Sequence, residues 1–297
     1  MPASPDLLLQ VRGLRTEFTS GSSWRRRGKT VAAVDGVDLD LCSGTTLGLV
    51  GESGSGKSTL ARTIVGLTRP AAGSVVFQGQ DLSRLSPAAV RRTCRDMQMI
   101  FQDPRASLNP RRTVAQIVAE GWTIHRDLAP RDVRAEVERL LVQVGLDPSH
   151  ADRYPHQFSG GQRQRISIAR ALAMKPRLII CDEAVSALDV SIQAQVLNLL
   201  KSLRAELGVA YLFISHDLSV VRHISDRIAV MQKGRIVELG DTEEVFTNPQ
   251  HPYSRELLSA VPIPDPEVAR ARRRESIDRE AFEGTTGGFL PDPEDAE

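Results

Sequence analysis

Cysteine and aromatic residues are scarce in this 297-residue chain, which has three cysteines and 4% aromatics. Cys42, Cys94 and Cys181 are odd in number and far apart, and two lie in apolar, strand-like stretches. That pattern fits neither a disulfide framework nor zinc-ligand spacing and predicts reduced thiols in a cytosolic protein. Long hydrophobic runs are lacking too. The most apolar stretches, 46–50, 178–181 and 209–214, are strand-length, well short of the ~18 residues a membrane span needs. The opening MPASPDLLLQVRG has no basic flank, long apolar stretch or cleavage site, so no signal peptide is expected. Neither sign of charge prevails: 38 Lys+Arg against 37 Asp+Glu leave a net charge of +1. This argues against a protein that coats nucleic acid, and no nucleic-acid partner is expected. With 25% charged residues the composition excludes collagen and wholesale disorder. At roughly 150 residues per domain the length predicts two domains, or one large domain with additions.

What is present changes style along the chain. Residues 7–50 alternate apolar and polar positions, which predicts antiparallel strands with one buried face. They are interrupted at 20–30 by SGSSWRRRGKT, read as a polar hairpin insertion. From residue 46 short apolar runs end in loops and are followed by segments of helical period, the signal of a parallel sheet with crossover helices. Residues 113–147 carry helical periodicity with no strand between, which predicts an inserted helical subdomain. A hairpin is expected around Gln232-Lys233, with short helices after it. Beyond Val261 the prolines, glycines and mixed charge predict a mobile tail.

Three motifs carry chemistry. Gly51-Glu52-Ser53-Gly54-Ser55-Gly56-Lys57-Ser58-Thr59 fits G-x-x-x-x-G-K-[ST] between a strand and a helix. Its backbone N–H groups and the helix N-terminus suit a phosphate chain. Lys57 would bridge the β- and γ-phosphates and the Ser58 hydroxyl would bind Mg²⁺. An apolar strand ends in Asp182-Glu183, where ligands bind in open α/β sheets. Asp182 would hold Mg²⁺, and Glu183 would polarise the water attacking the γ-phosphate. Phe158-Ser159-Gly160-Gly161-Gln162 opens a long helix. By residues alone it is either a second anion site or an ordinary helix cap with Ser159 as the capping residue.

With that third motif the sequence resembles the ATP-binding subunits of ABC transporters, whose signature turn closes over ATP held by the opposite subunit. Other marks of the family stand in its order. Gln102 in Phe101-Gln-Asp-Pro resembles the Q-loop that senses γ-phosphate and Mg²⁺. Asp189 in Ser186-Ala-Leu-Asp resembles the D-loop, and His216 in Ile214-Ser-His-Asp resembles the switch histidine. The resemblance implies a phosphate-loop α/β fold with an N-terminal antiparallel subdomain, a parallel-sheet core and a helical subdomain at about 105–170. It spans residues 7–261 as the ATP-binding domain, with 262–297 as a C-terminal extension. It also implies ATP and Mg²⁺ as cofactors, with Gln102, Glu183 and His216 catalytic and Ser58, Gln102 and Asp182 on the metal. The triphosphate would lie against residues 51–59 of one subunit and Ser159, Gly160, Gly161, Gln162 and Asp189 of the other. An aromatic of the first strands is implied to stack on adenine: Phe18 lies in that region and Trp24 is the rival. Phe18 as a core residue is the alternative.

The ending 261–266 (VPIPDP) is like that of the second ATPase subunit of the oligopeptide/dipeptide importers, and three further stretches are especially like those importer ATPases. These are 101–112 (FQDPRASLNPRR), 186–196 (SALDVSIQAQV) and 251–257 (HPYSREL). The implied partners are a paralogous ATPase or a second copy, two membrane permeases and an extracytoplasmic solute-binding protein, with this chain peripheral at the cytoplasmic face of the cell membrane. Nickel and glutathione importers share much of this sequence and are alternative systems. Another alternative is a soluble ABC ATPase outside transport, which usually has tandem domains or a coiled-coil insertion. Two departures stand out. The family commonly has proline where this chain has Ala184, which is expected to leave Glu183 less restrained and opens the reading of a degenerate subunit. No cysteine follows Cys181, so no C-terminal iron–sulfur cluster is expected.

Overall fold

A computed structural model describes residues 6–20 and 29–259. The 20–30 insertion, with Trp24, and the tail beyond 261 fall largely or wholly outside them. The chain divides into two units, residues 1–255 and 256–297; the description concerns the first.

Two long strands, β1 (Leu7–Ser20) and β2 (Lys29–Cys42), pair antiparallel, as the alternation predicts. On the buried face Leu9, Val11 and Leu14 of β1 stand opposite Leu41, Leu39 and Val37 of β2. After β3 (Thr46–Val50) and α1 (Lys57–Ile64), β4 (Ala72–Phe77) and β5 (Gln80–Asp81) complete a four-stranded antiparallel sheet in the order β2-β1-β4-β5.

Helix α2 (Pro87–Cys94) leads to β6 (Met97–Ile100). Five helices follow with no strand between them: α3 (Pro104–Ser107), α4 (Val114–Val118), α5 (Glu120–Ile124), α6 (Val133–Gln143) and α7 (Gly160–Leu172). This helical stretch is held by side-chain bonds to helix-end carbonyls. Trp122 Nε1 donates to Ala173 O at 3.0 Å, Arg170 to Ser107 O at 2.7 Å, and Arg165 to Val144 O at 2.7 Å.

The chain then runs through β7 (Leu178–Asp182), α8 (Val190–Leu207), β8 (Ala210–Ile214), α9 (Leu218–Ile224), β9 (Arg227–Gln232), β10 (Arg235–Asp241), α10 (Thr242–Thr247) and α11 (Pro252–Ser259). The second sheet has the order β10-β9-β3-β8-β7-β6, and every pairing is parallel except β9 with β10. Strands β3, β7 and β8 are buried at every position, the signature of parallel strands covered on both faces. The hairpin expected at Gln232-Lys233 is β9–β10.

One core joins the two sheets. Leu9, Val11 and Phe77 of the antiparallel sheet, Leu47, Leu49 and Leu212 of the parallel one, and Leu60, Ala61 and Ile64 of α1 belong to the same buried cluster. Each such large side chain contributes about 1.5–3 kcal/mol on burial. Thr16 and Thr63 complete the contact through a buried hydroxyl pair 3.1 Å apart. Helix α1 is therefore fixed along its apolar face, and the loop before it starts from a rigid base.

Candidate functional site

The loop between β3 and α1 is built into its surroundings by close backbone approaches. Gly51 (φ 149°) and Gly56 (φ 107°) are the points of nearest contact. A Cβ on Gly51 would lie 2.1 Å from the Met231 carbonyl oxygen of β9, and one on Gly56 would lie 2.1 Å from that of Ala33 on β2. No side chain fits at either position. The turn of the β9–β10 hairpin adds two bonds, Gly234 N–H to Ser55 O at 2.9 Å and Asp35 N–H to Gly234 O at 2.8 Å. The motif by itself predicts the glycines' freedom around phosphate; only the fold reveals that β2 and β9 press on the same glycines.

Lys57 is buried, and its ammonium donates to the carbonyls of Gly51 and Glu52 at 2.7 Å each and to Ser55 Oγ at 3.3 Å. Burial pulls its pKa down, against the opposing pull of Glu183, Asp182 and Glu52. Ser58 donates its hydroxyl to Asp182 Oδ1 at 2.8 Å. The Asp182 carboxyl is 5% exposed and its pKa is raised above 3.8, chiefly by burial; the Ser58 bond and the charges of Arg62 and Lys57 only partly offset this.

Glu183 sits at φ 50°, an uncommon conformation for a residue with a side chain. Its N–H donates to Ile214 O at 3.0 Å, and its carbonyl accepts from the Ser186 N–H at 3.2 Å and the Ser186 hydroxyl at 3.0 Å. Those bonds hold the turn, with buried Ala184 behind it. Gln102 donates to Glu183 Oε2 at 2.7 Å, and His216 Nδ1 lies 3.4 Å from the same oxygen. Three sequence-distant residues thus meet at the ends of adjacent parallel strands: Gln102 just past β6, Glu183 past β7 and His216 past β8. A cleft beside them is lined by Ala33, Ser53, Gly54, Gly56, Lys57, Ser58, Thr59, Gln102 and Glu183.

Oxygen donors dominate where a divalent cation would lie. The Ser58 hydroxyl, the Asp182 carboxylate and the Gln102 amide are hard ligands of the kind Mg²⁺ takes, and Mg²⁺ usually keeps waters and phosphate oxygens as well. Among the described residues no group of three or more His, Cys, Asp or Glu side chains could cage a metal alone. The residues fit a cation that arrives with a phosphate chain.

Other sequence-predicted residues stand apart from this cleft. Ser159 caps α7: Gln162 N–H donates to Ser159 Oγ at 3.3 Å, and Ser159 N–H donates back to Gln162 Oε1 at 3.0 Å. The ordinary cap exists, and neither Ser159, Gly160, Gly161 nor Gln162 lines the cleft. Asp189 is exposed at the start of α8. Phe18 stands opposite Val31 on the β1–β2 ribbon, 50% exposed, so it belongs neither to the sheet core nor to the cleft lining. No sequence pattern marks Ala33, Met231 and Gly234, because their backbones rather than their side chains shape the loop.

The ABC transporter family model matches residues 34–186, and the model of the oligopeptide/dipeptide transporter C-terminal region matches 237–287. The chain is 53% identical over 278 residues to the oligopeptide transport ATP-binding protein OppF of Salmonella typhimurium, covering 92% of this chain and 83% of that protein. It is 51% identical over 293 residues to AppF of Bacillus subtilis, covering 98% and 86%. The glutathione import ATP-binding protein GsiA of Escherichia coli is 53% identical over 267 residues, covering 90% of this chain and 43% of that protein. Among solved structures, cbiO1 from Clostridium perfringens superposes with a TM-score of 0.71 at 28% identity, covering 82% and 92%. The cassette MJ0796, dimeric and bound to ADP and Pi, superposes at 0.68 and 26%, covering 79% and 99%. No described helix is long and apolar enough to cross a membrane. The chain belongs to the ABC transporter family, as an ATP-hydrolysing, ATP-binding subunit of the oligopeptide/dipeptide branch.

Proposed function

We propose that this chain energises an importer of oligopeptides or dipeptides as one half of a pair of ATPase subunits. The pair would close around ATP beneath two membrane permeases at the cytoplasmic face, and an extracytoplasmic solute-binding protein would deliver the cargo. The ATP-binding domain in this reading is 7–261, with a helical subdomain at about 105–170 and an extension at 262–297. The observation that carries the hydrolytic role is the meeting of Gln102, Glu183 and His216 beside Lys57 and Ser58.

Each residue has a role that follows from its surroundings. Lys57, desolvated and already holding three acceptors, offers a positive charge to the phosphate chain. Glu183 accepts the proton of the attacking water as its oxygen bonds to the γ-phosphorus and the bond to the ADP oxygen breaks. Gln102, bonded to one carboxylate oxygen, and His216, close to the same oxygen, orient Glu183 for that task. When bound, Mg²⁺ would be held by Ser58, Asp182 and Gln102 and would neutralise phosphate charge. The Ser159–Gln162 turn and Asp189, outside the cleft of their own chain, would complete the partner subunit's site. Closing would then gain nothing until ATP supplies contacts to both halves, and hydrolysis would remove them.

The test is uptake of a labelled peptide by cells carrying Glu183→Gln or Lys57→Ala in this subunit alone. Loss of general-base catalysis lowers rates by roughly 10²–10⁴-fold, so Glu183→Gln should abolish uptake, and Lys57→Ala should do the same by removing the charge that holds the phosphates. Normal uptake by either would refute the role. The likeness to GsiA favours glutathione as a second cargo, and competition between labelled peptide and glutathione distinguishes the two.

A further inference from the structure

The His251-Pro-Tyr-Ser-Arg-Glu-Leu stretch has no part in the chemistry above, yet one of its side chains reaches the phosphate loop. Tyr253 is 5% exposed, and its Oη accepts the Glu52 backbone N–H at 3.1 Å. That N–H belongs to the peptide group joining Gly51 to Glu52. The carbonyl of the same peptide group is the Gly51 oxygen that accepts from Lys57 Nζ at 2.7 Å. A peptide group is planar and trans, so the tyrosine hydroxyl and the lysine ammonium hold its two opposite sides. Rotating that plane would break both bonds at once.

Tyr253 is itself placed by a chain of contacts that starts on β10. Glu238 accepts the N–H of Gln250 at 2.8 Å on one carboxylate oxygen and the N–H of His251 at 3.1 Å on the other. His251 Nδ1 in turn accepts the Tyr253 N–H at 3.2 Å. Burial works against ionisation of Glu238, but the hydrogen bonds it accepts outweigh it and hold the carboxyl below its ordinary range. The turn from 248 to 253 is thus anchored to the strand whose hairpin partner, β9, touches Gly51 through Met231. The loop is gripped from two sides by neighbouring strands, once by β9 directly and once by β10 through Glu238, His251 and Tyr253.

We propose that Tyr253 is a positioning residue for the nucleoside triphosphate site: its hydroxyl fixes the Gly51–Glu52 peptide plane and so sets where Lys57 stands. The Glu238 turn fixes where that hydroxyl lies. This rests on the reading of residues 51–59 as the triphosphate loop. Glu183, Gln102 and His216 are untouched by it, so the effect belongs to nucleotide affinity rather than turnover.

The test is Tyr253→Phe in the full chain assembled with its transporter partners, with Mg-ATP varied. Loss of one hydrogen bond predicts a KM for ATP raised about three- to tenfold, with kcat within about twofold. Glu238→Ala should raise KM in the same direction. The double variant should fall short of the product of the two effects, because both act through one contact. An unchanged KM in Tyr253→Phe, even with a lower thermal midpoint, overturns the proposal and leaves Tyr253 as packing only. Should Tyr253→Phe fail to fold, Glu238→Ala carries the test under the same KM criterion. Lys57→Ala separates the two readings. If it loses ATP binding while Tyr253→Phe keeps normal affinity, the clamp alone fails. If it binds ATP normally, the triphosphate reading fails and takes the clamp with it.

Discussion

Asp182 shows what a single residue gives up for function. Its carboxyl is buried at a strand end with one hydroxyl partner, and burial raises its pKa. A charge in that position costs stability until a cation is present. Asp182→Asn keeps an acceptor for Ser58 and removes the charge. The thermal midpoint of the nucleotide-free protein should therefore rise at neutral pH by roughly 2–4 °C, the equivalent of about 1 kcal/mol in a domain of this size. ATP hydrolysis should fall by roughly 10²-fold or more, the usual loss for one preorganised electrostatic group. A lower midpoint, measured by calorimetry, would show that Asp182 is a structural bond and not a stored charge. Glu183 makes the same point through its backbone. Its positive φ is an outlier of the sort that accumulates at working sites, and it is sustained by bonds to Ile214 and Ser186.

Elements matter here for what they press against. Strand β2 and the β9–β10 turn meet at Asp35 and Gly234, beside the phosphate loop. Arg235 of β10 donates from Nε and Nη2 to Asp35 Oδ2 at 2.9 and 2.6 Å. The Arg235 bond is the main reason the Asp35 pKa is lowered from its ordinary 3.8. A carboxylate whose folded pKa lies below the unfolded one adds stability above the unfolded value, and loses it as pH falls through the folded value. Asp35→Asn should therefore lower the urea midpoint at pH 7. The gap to wild type should persist down to about pH 3.8 and close below it. Equal midpoints at pH 7 would mean that the pair contributes nothing, as many exposed ion pairs do.

At the scale of the whole molecule, the phosphate-loop cleft and the turn assigned above to the partner's nucleotide do not meet. The cleft beside Lys57 lacks Ser159–Gln162, and the capped start of α7 lies elsewhere. A protein that could complete its own site would have brought them together. Two chains facing each other in opposite sense would pair each cleft with the other's turn, the self-complementary contact of two-fold symmetry. With Glu183→Gln and ATP, hydrolysis no longer removes the shared ligand. Light scattering should then show pairing, with its cognate ATPase or a second copy, that ATP promotes and ADP does not. Monomers under both conditions would remove the case for a shared site.

The sequence by itself determined the order of motifs, the antiparallel start, the parallel core and the helical stretch between them. Each of those rests on local period and on short spacings within one loop. Lys57, Ser58, Asp182 and Glu183 were legible because phosphate chemistry needs those residue types at those intervals. Tertiary structure decided what spacing cannot encode. Gln102, Glu183 and His216 lie far apart along the chain and converge only because β6, β7 and β8 are adjacent and parallel. Phe18 lies on a buried-face alternation in the sequence, but the ribbon of β1 and β2 ends in the open there, leaving it half exposed. Strand β5 has only two residues, too few for a period to show, and β4 and β6 are short and pair with β1 and β7, far away in sequence. The backbone of Ala33, the Met231 carbonyl and the Tyr253 hydroxyl shape the phosphate loop through contacts spanning up to 201 positions. Such contacts leave no local pattern, because their energy is released only when distant strands have already come together.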